Sequence, residues 1–179
     1  LKFVAGVGIE LRSDPAAGKD AIRITASDSA LKYYDEFNGS PIQPPGASGS
    51  HSIVIGDGSQ ALLAGTGSII LGTQNTGNSP YSAIGGGHSN QILSSSDYAA
   101  IGGGYNNIIT GTLSVESDYS TIGGGDTNKI GPTAQGAKSQ HSVIGGGDSN
   151  YIFGSSNSMI LGGESNYTNG KDAVALIGQ

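Results

Sequence analysis

YSAIGGGHSNQI, residues 81–92, returns as YAAIGGGYNNII (98–109), YSTIGGGDTNKI (119–130), HSVIGGGDSNYI (141–152) and, more loosely, NSMILGGESNYT (157–168). A unit that repeats this often, with few changes, marks a chain that stacks one small structural element on the next. Such a pattern speaks to shape before chemistry.

The residue ahead of each glycine block gives a common reference, and it is Val54, Ile70, Ile84, Ile101, Ile122, Ile144 and Ile160. Two residues earlier the side chain is always small: Ser52, Ser68, Ser82, Ala99, Ser120, Ser142 and Ser158. Two residues later a glycine recurs, as Gly86, Gly103, Gly124, Gly146 and Gly162 in the clearest copies. Six residues on stands Asn90, Asn107, Asn128, Asn150 or Asn166, and eight on stands Ile92, Ile109, Ile130 or Ile152, with Thr168 in the last copy.

Side chains alternate across a strand, so even offsets share a face. The reference residues and the second isoleucines are therefore the expected core. Glycine blocks permit a sharp bend after each strand, and asparagine near the second bend tolerates the left-handed region and can bond its own backbone or the next asparagine in a stack. The odd positions, with Ala83, Ala100, Thr121 and Val143 beside Tyr81, Tyr98, Tyr119 and His141, are expected on the opposite face. The excess length falls after the second isoleucine, in stretches 93–97, 110–118 and 131–140. Length changes confined to one corner are what a solenoid tolerates, because each coil touches mainly its neighbours. The fold expected is all-β: a β-solenoid or β-roll of short stacked strands, with about eight coils over residues 51–179.

Composition agrees. Glycine makes up 32 of 179 residues, aromatic residues 6% and charged residues 12%, so helix formers are scarce and Ser, Thr and Asn carry the polar role. Collagen would place glycine at every third position, which these blocks do not do. A disordered linker has no reason to hold an isoleucine at a fixed offset from a small residue. There is no cysteine, which removes disulfides and thiolate metal sites. A net charge of -6 disfavours a nucleic-acid partner, and no stretch resembles a membrane span or signal peptide. The opening LKFVAG, without Met, reads as a piece of a longer protein.

Residues 1–50 differ. Val7, Ile9 and Leu11, then Ile22 and Ile24, alternate with polar or small residues around DPAAG, the pattern of a β-hairpin. SDSALKYYDEF has the polar start of a helix, and NGSPIQPPGASGS is connector chemistry. A boundary is expected near residue 50.

Two large apolar side chains per coil are few against the entropy of ordering a whole coil. The outward row of Ala, Thr, Val and Tyr reads as a second buried surface, so chains are expected to pack together, intertwined or side by side, as a homotrimer.

SIVIGDGSQALLAGTGSIILG (52–72) and the closing DAVALIGQ resemble the short repeats of trimeric autotransporter adhesin heads, the YadA-type β-roll. FVAGVGIELRSDPAAGKDAIRITA (3–26) is similar to segments of bacteriophage tail-fibre proteins. The resemblance implies a homotrimeric fibre of a virion or cell surface, with neighbouring fibre or tail proteins and a host glycan or protein as partners. The triple glycines and long corner insertions depart from adhesin heads and favour the phage fibre. The bacterial adhesin head and a polysaccharide-degrading tailspike are the alternatives.

The chemistry-bearing residues are few. His51 and His141 share a repeat position that elsewhere holds tyrosine, and no second metal ligand recurs with them. Asp126, Asp148 and Glu164 form an acidic column, but the repeat is not the calcium-binding nonapeptide, so solvated carboxylates are the expectation. Glu116 and Asp118 are the one pair a glycan hydrolase would draw on; they sit in a single insertion with no added domain. No GxSxG, P-loop or HExxH sequence occurs. The reading is a non-enzymatic fibre segment needing no cofactor or metal. Its surface candidates for receptor contact are Tyr81, Tyr98, Tyr119, His141, Glu116, Asp118 and Lys138, together with the variable loops, since loops on a rigid scaffold vary freely.

Overall fold

A computed structural model describes residues 31–33, 46–47, 52–56, 58–62, 66–132, 136–170 and 174–175. The hairpin expected within residues 7–25 lies outside them. The described residues contain no helix. They form two parallel sheets, one of nine strands and one of eight, and successive strands along the chain alternate between the two. Parallel neighbours normally require a long crossover. Here the crossover of each sheet is a strand of the other, so the chain winds as a coil, and the arrangement is that of a β-solenoid.

The register puts equivalent repeat positions on top of one another. In the first sheet Ile84, Ile101, Ile122, Ile144 and Ile160 are successive partners. In the second, Ile92, Ile109, Ile130, Ile152 and Thr168 follow suit. These isoleucines, with Val54 and Ile70 above them, are at most 1% exposed and make two facing apolar ladders. A one-residue slip in any coil would turn its isoleucine to solvent, so the hydrophobic pattern itself fixes the register.

A third column of single bridges, Thr73, His88, Tyr105, Asp126, Asp148 and Glu164, runs between the sheets and gives each coil another hydrogen-bonded side. The corners flanking it and the far corner need left-handed backbone. Ser89, Asn106, Thr127, Ser149 and Ser165 have φ of 52° to 58°, one residue before the repeat's asparagine. Tyr81, Tyr98, Tyr119, His141 and Asn157, at φ 53° to 56°, turn the chain into the first sheet. Left-handed backbone costs a non-glycine residue about 1–2 kcal/mol, so both rows are held by what stacks above and below them.

The parity argument that put the tyrosines on the outer face of the strand fails at this corner, because the regular strand begins only after the turn: Tyr81 precedes the strand Ala83–Ile84. Two further strands, Leu31–Tyr33 and Gly46–Ala47, pair with Ile53–Ile55 and Gln60–Ala61. The stack therefore reaches back across the boundary read near residue 50, and the segment with the polar start of a helix contributes a strand.

Candidate functional site

The interior is lined by polar ladders as well as isoleucine. Asn128 Nδ2 donates to Asn107 Oδ1 at 3.0 Å, to Gly124 O in its own coil at 3.0 Å and to Gly147 O in the next at 2.9 Å. Its own Oδ1 accepts from the backbone N–H and side-chain amide of Asn150, both at 3.0 Å. Asn90, Asn107, Asn150 and Asn166 repeat the pattern with their neighbours. This ladder pairs the own-coil carbonyls of Gly86, Gly103, Gly124, Gly146 and Gly162, which the bend would otherwise leave unpaired, and adds a second donor to the next-coil carbonyls that already accept a bridge N–H.

Two members escaped the sequence comparison. Asn75 heads the ladder, its Oδ1 accepting from Asn90 N–H at 2.7 Å. It was missed because its coil is one residue short, which shifts the asparagine off the common offset. Ser59 stands in the same column, its hydroxyl accepting from Asn75 N–H. A further buried serine row, Ser79, Ser96, Ser117, Ser139 and Ser155, lines the inside of the insertion corner. Ser79, Ser117 and Ser139 donate to the backbone carbonyls of Leu93, Thr110 and Gly131.

Among the glycines, Gly86 and Gly162 have open space where a Cβ would go, and Gly103 and Gly146 meet nothing closer than 3.9 Å. The demand for glycine falls on either side of these: a Cβ on Gly85, Gly102, Gly123 or Gly145 would stand 2.3–2.6 Å from a carbonyl oxygen one coil on, and the third glycine must in addition take left-handed backbone. Gly87, Gly104, Gly125, Gly147 and Gly163 have φ of 80° to 93°. A Cβ on Gly104, Gly125 or Gly147 would strike the carbonyl oxygen of the glycine one coil on and stand 2.8 Å from the coil's own asparagine Nδ2.

On the outside, the corner leading into the first sheet carries the surface residues singled out by sequence. Tyr81, Tyr98, Tyr119 and His141 form a continuous stack, with centroids 5.0, 5.1 and 5.0 Å apart and planes within 14° of parallel. Tyr81, Tyr98 and Tyr119 remain 51–56% exposed, through their edges and hydroxyls. The ring faces, which a sugar would use for stacking, are covered by one another. Beside this row the insertions are layered. Lys138 Nζ and Gln140 Nε2 donate to Glu116 Oε2 at 2.7 and 2.8 Å, and Asp118 Oδ1 accepts from Asp97 N–H at 2.8 Å. The candidate carboxylate pair is thus engaged in holding one loop against the next. Asp97, which sequence reading did not single out, has its carboxyl pushed above the ordinary carboxylate range, first by burial and then by the charges of Asp118 and Glu116, against a lowering hydrogen bond from Ser79. Thr112 and Val115 close a small antiparallel turn, and Leu113 at its tip is fully exposed.

The acidic column lies in the bridge ladder. Asp126 and Asp148 are exposed, and each accepts from the hydroxyl that follows it, Thr127 Oγ1 or Ser149 Oγ. Among the described residues, no three His, Asp or Glu side chains converge on a point where a cation could sit. No helix of the described residues is long and apolar enough to cross a membrane. Comparison with protein-family models, with curated proteins and with solved structures finds no match. The functional reading therefore rests on the geometry of this coil and its corners.

Proposed function

We propose that this chain is a non-enzymatic segment of a homotrimeric virion tail fibre, a shaft that holds host-facing loops at a fixed spacing. One observation carries the reading: every large change in coil length falls at a single corner while both sheets keep their register. Successive asparagines of the ladder are 15, 17, 21, 22 and 16 residues apart, yet the strands on either side pair without a bulge. A scaffold that absorbs insertions without distortion suits the display of variable loops. Against a glycan-cleaving role, Glu116 and Asp118 are occupied by Lys138, Gln140 and the Asp97 N–H. A hydrolase would need one of them free to donate a proton and the other to face a sugar ring.

The test exchanges stretches 110–118 and 131–140 for turns as short as 93–97. The expected result is an unchanged circular dichroism spectrum and loss of binding to a panel of bacterial surfaces that the parent chain recognises. Retained binding by the shortened chain would remove these loops as the contact. Shortening of a host polysaccharide by the parent chain would replace the shaft reading with the enzymatic one.

A further inference from the structure

We propose that the outer face of the first sheet is covered by further copies of this chain. The inference rests on the fibre reading and names the surface through which it assembles. From Ile53 to Leu161 the outward positions are Ile53 and Ile55, Ile69 and Leu71, Ala83 and Gly85, Ala100 and Gly102, Thr121 and Gly123, Val143 and Gly145, then Met159 and Leu161. None is charged. Eight of the eleven large apolar side chains left exposed among the described residues lie on this face or in the tyrosine row at its margin: Ile53, Ile55, Ile69, Met159, Leu161, Tyr81, Tyr98 and Tyr119. An apolar surface this concentrated marks a contact rather than ordinary solvent exposure.

Charge selects the occupant. The chain carries a net charge of -6, and its other sides bear the Asp126, Asp148 and Glu164 column and the Glu116, Asp118 and Asp97 corner. Two copies approaching through those sides would set like charges together, which costs affinity. The first-sheet face bears no charged residue, whereas the outward side of the second sheet bears Lys129 beside the polar Gln60, Thr76 and Gln91, so repeated self-contact there would set Lys129 against a polar rather than an apolar surface. The size of the first-sheet face also fits. Five residues from the tyrosine row to the glycine bend, by seven stacked strands, span roughly 17 Å by 34 Å. That is on the order of 600 Å2 before side-chain relief is added, against about 800 Å2 per partner in a standard interface. Alanine and glycine along the middle of the face let backbones come close. A pair would lay two faces flat together, whereas a ring of three would set the tyrosine margin of one chain against the glycine bend of the next.

The experiment measures mass in solution by light scattering for the full chain, for Ala100→Glu, and for Ile108→Glu as a control on the outward side of the second sheet. Thr121→Lys serves as a second variant should Ala100→Glu lose its β-sheet circular dichroism. The expected result is a multimer for the parent and the control, and a fall to the single-chain 17.8 kDa for the first-sheet variants. A parent multimer that the first-sheet variants leave intact overturns this assignment and spares the fibre reading. A parent that is a single chain at micromolar concentration overturns both. A two-copy mass lost in the variants upholds the face and overturns threefold assembly.

Discussion

The Asn128 amide shares its two hydrogens among three acceptors and its oxygen accepts from two donors, in a site that is 0% exposed. Asn128→Ala would leave Gly124 O and the Asn150 N–H without partners, each at about 1–3 kcal/mol, whereas Gly147 O keeps the Asp126 N–H and Asn150 Nδ2 keeps Gly146 O and Gly163 O. The expected loss is about 3 kcal/mol or more, read as a fall of about 10 °C in melting temperature. A loss under about 1 kcal/mol in a urea titration would mean that water replaces the ladder.

The glycines make a sharper test because two neighbours differ. Gly147→Ala meets a positive φ of 93°, the Gly163 carbonyl and Asn150 Nδ2, whereas Gly146→Ala has no contact nearer than 3.9 Å. Gly147→Ala should cost more than about 3 kcal/mol, and Gly146→Ala less than about 1; equal melting temperatures would contradict the bend geometry. Sequence comparison sees three identical glycines and has no means of ranking them. What ranks them is a carbonyl one coil away, and that distance exists only after the coils stack. The buried isoleucines needed no such information, because their period of two is a local property.

At the scale of single elements, the insertion corner is where charge rather than packing sets the balance. Asp97 holds its proton more tightly in the folded chain than in the unfolded one, because burial and then Asp118 and Glu116 disfavour its charge. A raised folded pKa means that the stabilisation is present at pH below the unfolded value and is lost as pH rises through the folded value. Asp97→Asn removes that loss. It should raise the melting temperature at pH 7 by no more than about 3 °C and leave it unchanged at pH 3, since the site is largely solvated and screened. An increase at pH 3 as large as that at pH 7 would exclude the charge explanation.

That the loops project from one corner was legible from the spacing alone. That Glu116 pairs with Lys138 across 22 residues was not, since it depends on two insertions of different length lying one above the other. The left-handed tyrosine corner was hidden for a related reason: residue parity holds along a strand and is lost at the first residue of a turn.

For the molecule as a whole, from Ile70 to Thr168 each coil is bound to the next by the same set of contacts: a first-sheet pair, a bridge, a second-sheet pair and an asparagine link. Stability should then grow with coil number in near-equal steps. Duplicating residues 119–140, one complete 22-residue period, tests this directly. The copy supplies its own Ser120, Ile122, Asn128 and Ile130 equivalents, and its last residue hands on to His141 as Gln140 does now. The extended chain should fold, lengthen by about 4.8 Å in small-angle scattering, and show a larger urea m-value because more surface is exposed on unfolding. An aggregated product, or a folded one of unchanged length, would mean that coil order carries information beyond the repeat, through end contacts that a duplicated middle coil disturbs. Normal folding with a longer rod would place the whole specification of shape in the local unit that YSAIGGGHSNQI exemplifies, and leave the corner insertions free to change with the partner they meet.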